Sequence, residues 1–229
     1  MSMLRQITQS FVFSLGALIG AHFGTRLALQ AAHAPTPPQL SFLLLDNPFR
    51  RIYRDPVRTV DFVGVHRNAH LLDAGCGTGA HALEAATRVG PNGRVYALDM
   101  QANMINTVAR RVESQHTSNV VMLLAPLHRI PLPASCVDCV MMISVLPEIS
   151  QRKAALAETR RVLKPGGTLV VGEDVFAPVY ARPATIRMWL EDAGFKLTGR
   201  AGNGLAYLLR FVKPLSAAQI AFGAGDADS

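Results

Sequence analysis

Three glycines at alternate positions, followed about twenty residues later by an aspartate that closes an apolar run, are the residues of this chain best placed to do chemistry. In Leu71-Leu72-Asp73-Ala74-Gly75-Cys76-Gly77-Thr78-Gly79 an apolar strand ends in an acid and breaks into a turn. Glycine there reaches backbone conformations that a side chain forbids and lets a ligand lie against bare main chain. Alone the pattern is weak, because alternate glycines also occur in ordinary turns. Its second half strengthens it: Gly90-Pro91-Asn92-Gly93 turns the chain, Arg94-Val95-Tyr96-Ala97-Leu98 reads as a buried strand, and Asp99 stands at its carboxyl end. That is where a βαβ unit places an acid for ribose hydroxyls, roughly twenty residues beyond the glycine turn. The pattern therefore points to a nucleotide-like cofactor.

A second constellation carries less. Cys136-Val137-Asp138-Cys139 has the spacing of a redox pair or half a metal site. It opens an apolar run that reads as a buried strand, and Cys76 is the only other cysteine, so core packing is the stronger reading and no metal is expected.

Elements must hold these residues in place. Strands are expected near 69–74, 94–99, 119–124, 137–144 and 167–174, with helices between them. A helix over 183–193 should stop at Gly194, and two last strands should lie near 195–201 and 205–212. Arg161-Val162-Leu163-Lys164-Pro165-Gly166-Gly167 reads as a helix end and a turn before a buried strand. From Leu40 to Val65 helices are expected, with Asp46-Asn47-Pro48 as a start signal.

Taken together, LLDAGCGTG, VYALDM and RVLKPGGTLVV occur in the order found in class I S-adenosylmethionine-dependent methyltransferases, and the chain resembles that family from about Asn47 to Pro214, most closely its type 11 and ubiquinone/menaquinone-biosynthesis group. The resemblance implies an α/β fold: a Rossmann-like, seven-stranded, mostly parallel sheet flanked by helices, here with an N-terminal helical extension. It also implies S-adenosyl-L-methionine as cofactor. Gly75, Gly77 and Gly79 would pass beneath its methionine and ribose portions, and Asp73 would anchor the loop or the amino group. Asp99 would take the ribose hydroxyls and Met100 would lie against adenine. Cys76, Thr78 and Ser144 complete the expected cofactor contacts.

Two departures from the family stand out. Relatives commonly carry an acid after the third strand for the adenine amino group, but no Asp or Glu occurs between Glu113 and Asp138. Backbone at Ala125 or Leu127 would have to serve. Where many relatives carry histidines after the fourth strand, this chain has Val145-Leu146-Pro147-Glu148. Glu148, His128 and His81 are the candidate bases, none of them strong. A sulfonium methyl is already electrophilic, and such enzymes often need no fixed base. Tyr53 and Tyr207 are candidates to line the acceptor pocket.

Two other function classes remain beside this one. A non-catalytic binding or assembly protein could keep the fold after losing its adenine clamp. A nicotinamide oxidoreductase is disfavoured, because its fingerprint usually runs G-x-G-x-x-G and position 80 here is alanine.

With 229 residues, 49% of them hydrophobic, the chain suits one α/β domain with appendages and is not a disordered polymer. Its formal charge of +7 invites nucleic acid as a partner. The strand after Val137 lacks the Asn/Asp-Pro-Pro-aromatic turn that many nucleobase methyltransferases use, so a small-molecule acceptor, apolar or lipid-like, is the better expectation. Residues 1–33 read as an apolar helix and 34–39 as a proline-rich linker. The methyltransferase-like domain is then 40–214, and 215–229 a disordered tail. The apolar run from Phe11 to Ala21 is short of the roughly 20 residues a membrane span needs. A membrane helix and a helix packed on the domain stay open, and cleavage as a signal peptide is disfavoured. Arg50, Arg51, Arg54 and Arg58 follow that run and would favour anionic lipid headgroups. The expected location is cytoplasmic, on the inner face of a membrane if the segment is embedded. Oligomeric state is not legible.

Overall fold

In a computed structural model, which describes residues 50–215 and Gly24, seven strands form one sheet in the order β3-β2-β1-β4-β5-β7-β6. The elements run α1 (Arg50–Tyr53), α2 (Pro56–Val63), β1 (His70–Ala74), α3 (Ala80–Val89), β2 (Arg94–Asp99), α4 (Ala102–Ser114) and β3 (Val120–Leu124). They continue through β4 (Val137–Ile143), a single 3-10 turn (Leu146–Glu148), α5 (Arg152–Val162), β5 (Leu163–Asp174), α6 (Pro183–Asp192), β6 (Lys196–Gly202) and β7 (Ala206–Val212). Pairing is parallel from β3 across to β5 and antiparallel at β7 and β6. Apart from Gly24, the expected N-terminal helix, the linker, Asp46-Asn47-Pro48 and the tail from 216 lie outside the described residues. Among the described residues no helix is long and apolar enough to cross a membrane.

Both faces of the centre of the sheet are covered, which is why β1, β2, β4 and the second half of β5 read as apolar runs, whereas the edge strands β3 and β6 alternate in burial. One face packs Leu72, Val140, Val171 and Phe211 against α5 and α6; the other packs Leu71, Val95, Met141 and Val170 against α2, α3 and α4. Cys136 and Cys139 fall into these two different layers, so the C-x-x-C spacing separates its thiols across the sheet. Burial raises the pKa of both thiols, Cys139 to about 11.

Local signals explain the boundaries. The described start of α2 is Asp55-Pro56: the Asp55 carboxylate accepts the Val57 N–H at 3.0 Å, and proline occupies the first turn where a missing N–H costs nothing. At the end of α6, Gly194 takes φ +82°, with its N–H on Glu191 O at 2.9 Å and the Phe195 N–H on Leu190 O at 3.0 Å. That is a Schellman closure. The start of β5 differs from the expectation near 167. The strand runs from Leu163, and Lys164 to Gly167 are an outward excursion within it, because pairing jumps from Val137↔Leu163 to Cys139↔Thr168. Gly166 N–H reaches Lys213 O at 2.8 Å, so the apparent turn is held by the end of β7.

Arg54 corrects the sequence reading. Instead of sitting on a solvated face for lipid, it is 4% exposed and donates from Nη1 to Tyr207 O at 3.2 Å. A side chain on Gly172 would place its Cβ 2.7 Å from that same nitrogen. Glu173, fully buried, and Arg54 act with opposite sign on the Tyr207 hydroxyl, whose pKa is raised chiefly by burial. Arg54 thus ties the α1 end to β5 and β7. Removing one charge from a buried cluster costs more than a surface pair is worth. Arg54→Met is expected to lower unfolding free energy by about 3 kcal/mol, against at most about 0.5 kcal/mol for the exposed Arg58→Met, in urea denaturation followed by circular dichroism. Equal midpoints for the two variants would refute the anchoring role.

Candidate active site

The functional cavity, about 250 Å³, opens at the carboxyl ends of the strands, where β1 has β2 on one side and β4 on the other. That reversal of strand order leaves a crevice between loops leaving in opposite directions. Asp73 and Asp99 reach it from the ends of β1 and β2, Ala125 from beyond β3, Ser144 from beyond β4 and Asp174 from the end of β5.

The glycine turn is folded over the end of β2. Gly75 and Cys76 both donate to Leu98 O, at 2.8 and 2.9 Å, and the Gly77 N–H donates to Asp99 Oδ2 at 3.0 Å. The other Asp99 oxygen accepts the Gln101 N–H at 2.9 Å. One carboxylate therefore fixes the turn and the start of α4 together, with lone pairs still facing the cavity. Gly75 sits at φ +81°, and a Cβ there would lie 2.5 Å from Val145 Cγ2, so glycine is required by conformation and by space.

Asp73 is 2% exposed, and its Oδ2 has no hydrogen-bond partner among the described residues. Burial first, then the neighbouring Asp99 charge, push its pKa up to about 8, against the backbone hydrogen bond from Ala82. Asp99 is raised as well, mainly by burial, with the N–H groups of Gln101, Gly77 and Met100 opposing. The Cys76 thiol is held well above its usual range by burial and by these two acids, so it packs in this site without nucleophilic character. Two buried acids that resist ionisation, beside a bare-backbone cradle, fit a ligand carrying hydroxyls and positive charge.

Of the residues expected from sequence, Asp73, Gly75, Cys76, Gly77, Thr78, Asp99, Met100, Ala125, Leu127 and Ser144 line this one cavity. Gly79 does not. It begins α3 at φ +85°, and a Cβ there would come 2.9 Å from Val108 Cγ2, so it serves close packing of α3 on α4. The Ala125 N–H is already bonded to Asp99 O at 3.1 Å, which leaves the neighbouring Leu127 backbone as the remaining candidate for an adenine edge. His81, His128 and Glu148 all reach the lining. Tyr53 lines it too, whereas Tyr207 is absent from it and donates its hydroxyl to Ala181 O at 2.5 Å behind β5. Sequence reasoning missed Asp174 and Phe176. The signal was present: Gly172-Glu173-Asp174 closes an apolar strand in an acid, as β1 and β2 do.

A seven-stranded sheet of this order with a glycine cradle and an acid on the second strand defines a class I S-adenosylmethionine-dependent methyltransferase fold. A methyltransferase-domain family model matches residues 65–192, more than half of the chain. The demethylmenaquinone methyltransferase of Geobacillus sp. strain WCH70 is 32% identical over 183 residues, covering 71% of this chain and 77% of that protein. The ubiquinone/menaquinone biosynthesis C-methyltransferase UbiE of Hahella chejuensis is 33% identical over 116 residues, 50% of this chain and 47% of that protein. This chain thus spans about half the length of several curated relatives, including 44% of an uncharacterized 37.1 kDa transposon protein of Streptomyces fradiae. A crystal structure of an S-adenosylmethionine-dependent methyltransferase from Aquifex aeolicus superimposes with a TM-score of 0.72 at 26% identity, over 78% of this chain and all of that one. This chain belongs to the methyltransferase-domain family, as a class I S-adenosylmethionine-dependent methyltransferase.

Proposed function

We propose that the protein transfers a methyl group from S-adenosylmethionine to a small, largely apolar acceptor. The observation that carries this reading is the joining of Gly77 and Asp99 by a hydrogen bond at the wall of a cavity that continues past β4 to Tyr53, Phe176 and Pro178. The first part offers polar groups for a nucleoside and an amino acid; the second offers rings and aliphatic surface for an acceptor. A sulfonium supplies an electrophilic methyl, so the chain's own tasks are to orient the acceptor and exclude water. The names of the Geobacillus and Hahella relatives favour a quinone-like acceptor. Tyr53 and Phe176, with ring centroids 5.1 Å apart, suit a flat ring. Isothermal calorimetry with S-adenosylmethionine and S-adenosylhomocysteine tests the cofactor half, and transfer of a labelled methyl group into organic-extractable product from reduced naphthoquinone tests the acceptor half. Absence of binding by either nucleoside would remove the proposal.

One observation favours a second reading, in which the fold binds a partner without catalysis. The adenine side has no acid, and its nearest backbone donor, at Ala125, is engaged. Calorimetry separates the two, because that reading expects neither nucleoside to bind. Among the described side chains, contact with a membrane surface now rests on Arg58, which is exposed.

A further inference from the structure

Within the reading of the chain as a methyltransferase, the nucleoside half of the cavity leaves one buried acid without a task. Asp174 ends β5, is 2% exposed and lines the cavity on the side of Tyr53 and Phe176, across from Asp73 and Asp99. Its carboxylate is held at both oxygens: Oδ2 accepts the Ser144 hydroxyl at 3.0 Å, and Oδ1 accepts the Phe176 N–H at 3.2 Å. These two donors fix the orientation of the carboxylate at the cavity wall.

Ser144 bears on the same point. It takes φ +58°, a left-handed conformation that a residue with a side chain adopts only at a cost, and its N–H is bonded to Gly172 O at 2.7 Å. The kink directs its hydroxyl toward β5 and onto Asp174. Strained residues of this kind cluster where a group must be aimed. The Phe176 N–H that holds the second oxygen belongs to the residue whose ring, 43% exposed, forms an aromatic wall with Tyr53. Wall and carboxylate are thus built by one turn.

We propose that Asp174, aimed by Ser144 and the Phe176 N–H, receives a hydrogen bond from a hydroxyl or N–H on the methyl acceptor while the acceptor's flat apolar body lies on the Tyr53 and Phe176 rings. Ser144 is then a positioning residue for the acceptor rather than a cofactor contact. The substrate class that follows is an aromatic or similarly flat molecule with a donor group near its reacting atom. Molecules with the same body and no donor are discriminated against, because a buried carboxylate facing an ether loses its water and gains no partner.

The test uses the full chain loaded with S-adenosylhomocysteine and two probes of nearly equal size, 2-naphthol and 2-methylnaphthalene, titrated by fluorescence. The wild-type chain is expected to bind naphthol at least about tenfold tighter than methylnaphthalene, the size of a buried hydrogen bond. Asp174→Asn should reduce that ratio to within about threefold, and Ser144→Ala should reduce it partly. Circular dichroism and the thermal midpoint of each variant show that it has folded. A wild-type chain that binds both probes alike, or a preference that survives Asp174→Asn, overturns the assignment and leaves the methyltransferase reading intact. Failure of the wild-type chain to bind S-adenosylhomocysteine overturns both.

Discussion

Replacing Asp99 by alanine is expected to weaken S-adenosylmethionine binding by at least about a hundredfold while leaving the thermal midpoint nearly unchanged. The carboxylate sits where two effects add. A pair of ribose hydroxyls would each lose a hydrogen bond to a charged acceptor, worth about 1.5 to 3 kcal/mol apiece, and a hundredfold is about 2.7 kcal/mol. The glycine turn would also lose the anchor that Gly77 finds on Oδ2 and α4 the one that Gln101 finds on Oδ1. Both N–H groups are at the cavity wall, where water can take the vacated place, so the fold should survive. Asp99→Asn should fall between, since its amide keeps one accepting oxygen but turns a donor toward one of the two N–H groups. Met100, 59% exposed, has no such partners, and Met100→Ala should cost only a few-fold. Calorimetric titration of the three variants decides the matter: an Asp99→Ala affinity within about threefold of wild type would remove Asp99 from the cofactor site.

The strands that build this site were legible for a physical reason. A parallel strand covered on both faces has to be apolar along its length, and at its carboxyl end it has to meet something polar. Leu71-Leu72-Asp73 and Ala97-Leu98-Asp99 state that in three residues each, and β1, β2 and β3 fall within a residue of their expected bounds. What could not be read depends on contacts between distant residues. Lys164-Pro165-Gly166-Gly167 looks like a turn between elements because only its pairing with Lys213 shows it to be an excursion inside β5. Arg54 and Arg58 look alike in sequence, yet one inserts over Gly172 to reach Tyr207 and the other pairs loosely with Asp55 at 3.9 Å on the surface. Gly79 was read as part of the cradle because spacing alone cannot separate a glycine that faces a ligand from one that faces Val108. Asp174 is the instructive omission. It repeats the strand-then-acid pattern of β1 and β2, but its meaning comes from Ser144, thirty residues away, and from the tertiary closeness of Tyr53.

Cofactor binding is also expected to release close to one proton at neutral pH, with affinity rising up to about tenfold per pH unit until about pH 8 and level above it. The source is Asp73, whose carboxyl is pushed up to about 8 by burial and by Asp99, so at pH 7 the ligand-free site holds it mostly protonated. A ligand that brings a sulfonium and an ammonium favours the ionised form, and the proton leaves to solvent. The sign for stability is opposite. Because the folded pKa lies above the ordinary value of 3.8, this group stabilises the ligand-free fold fully below about pH 4, and that contribution is lost as pH rises through about 8. Asp99 is shifted the same way and adds to the trend. Asp73→Asn isolates the first acid: it should flatten the pH dependence of binding, lower affinity above pH 8, and make the ligand-free chain relatively more stable there than wild type. Titrations in buffers of different ionisation enthalpy count the protons released. A wild-type count near zero at pH 7, or a pH profile unaltered in Asp73→Asn, would place the charge-responsive group elsewhere and return Asp73 to an anchor of the turn.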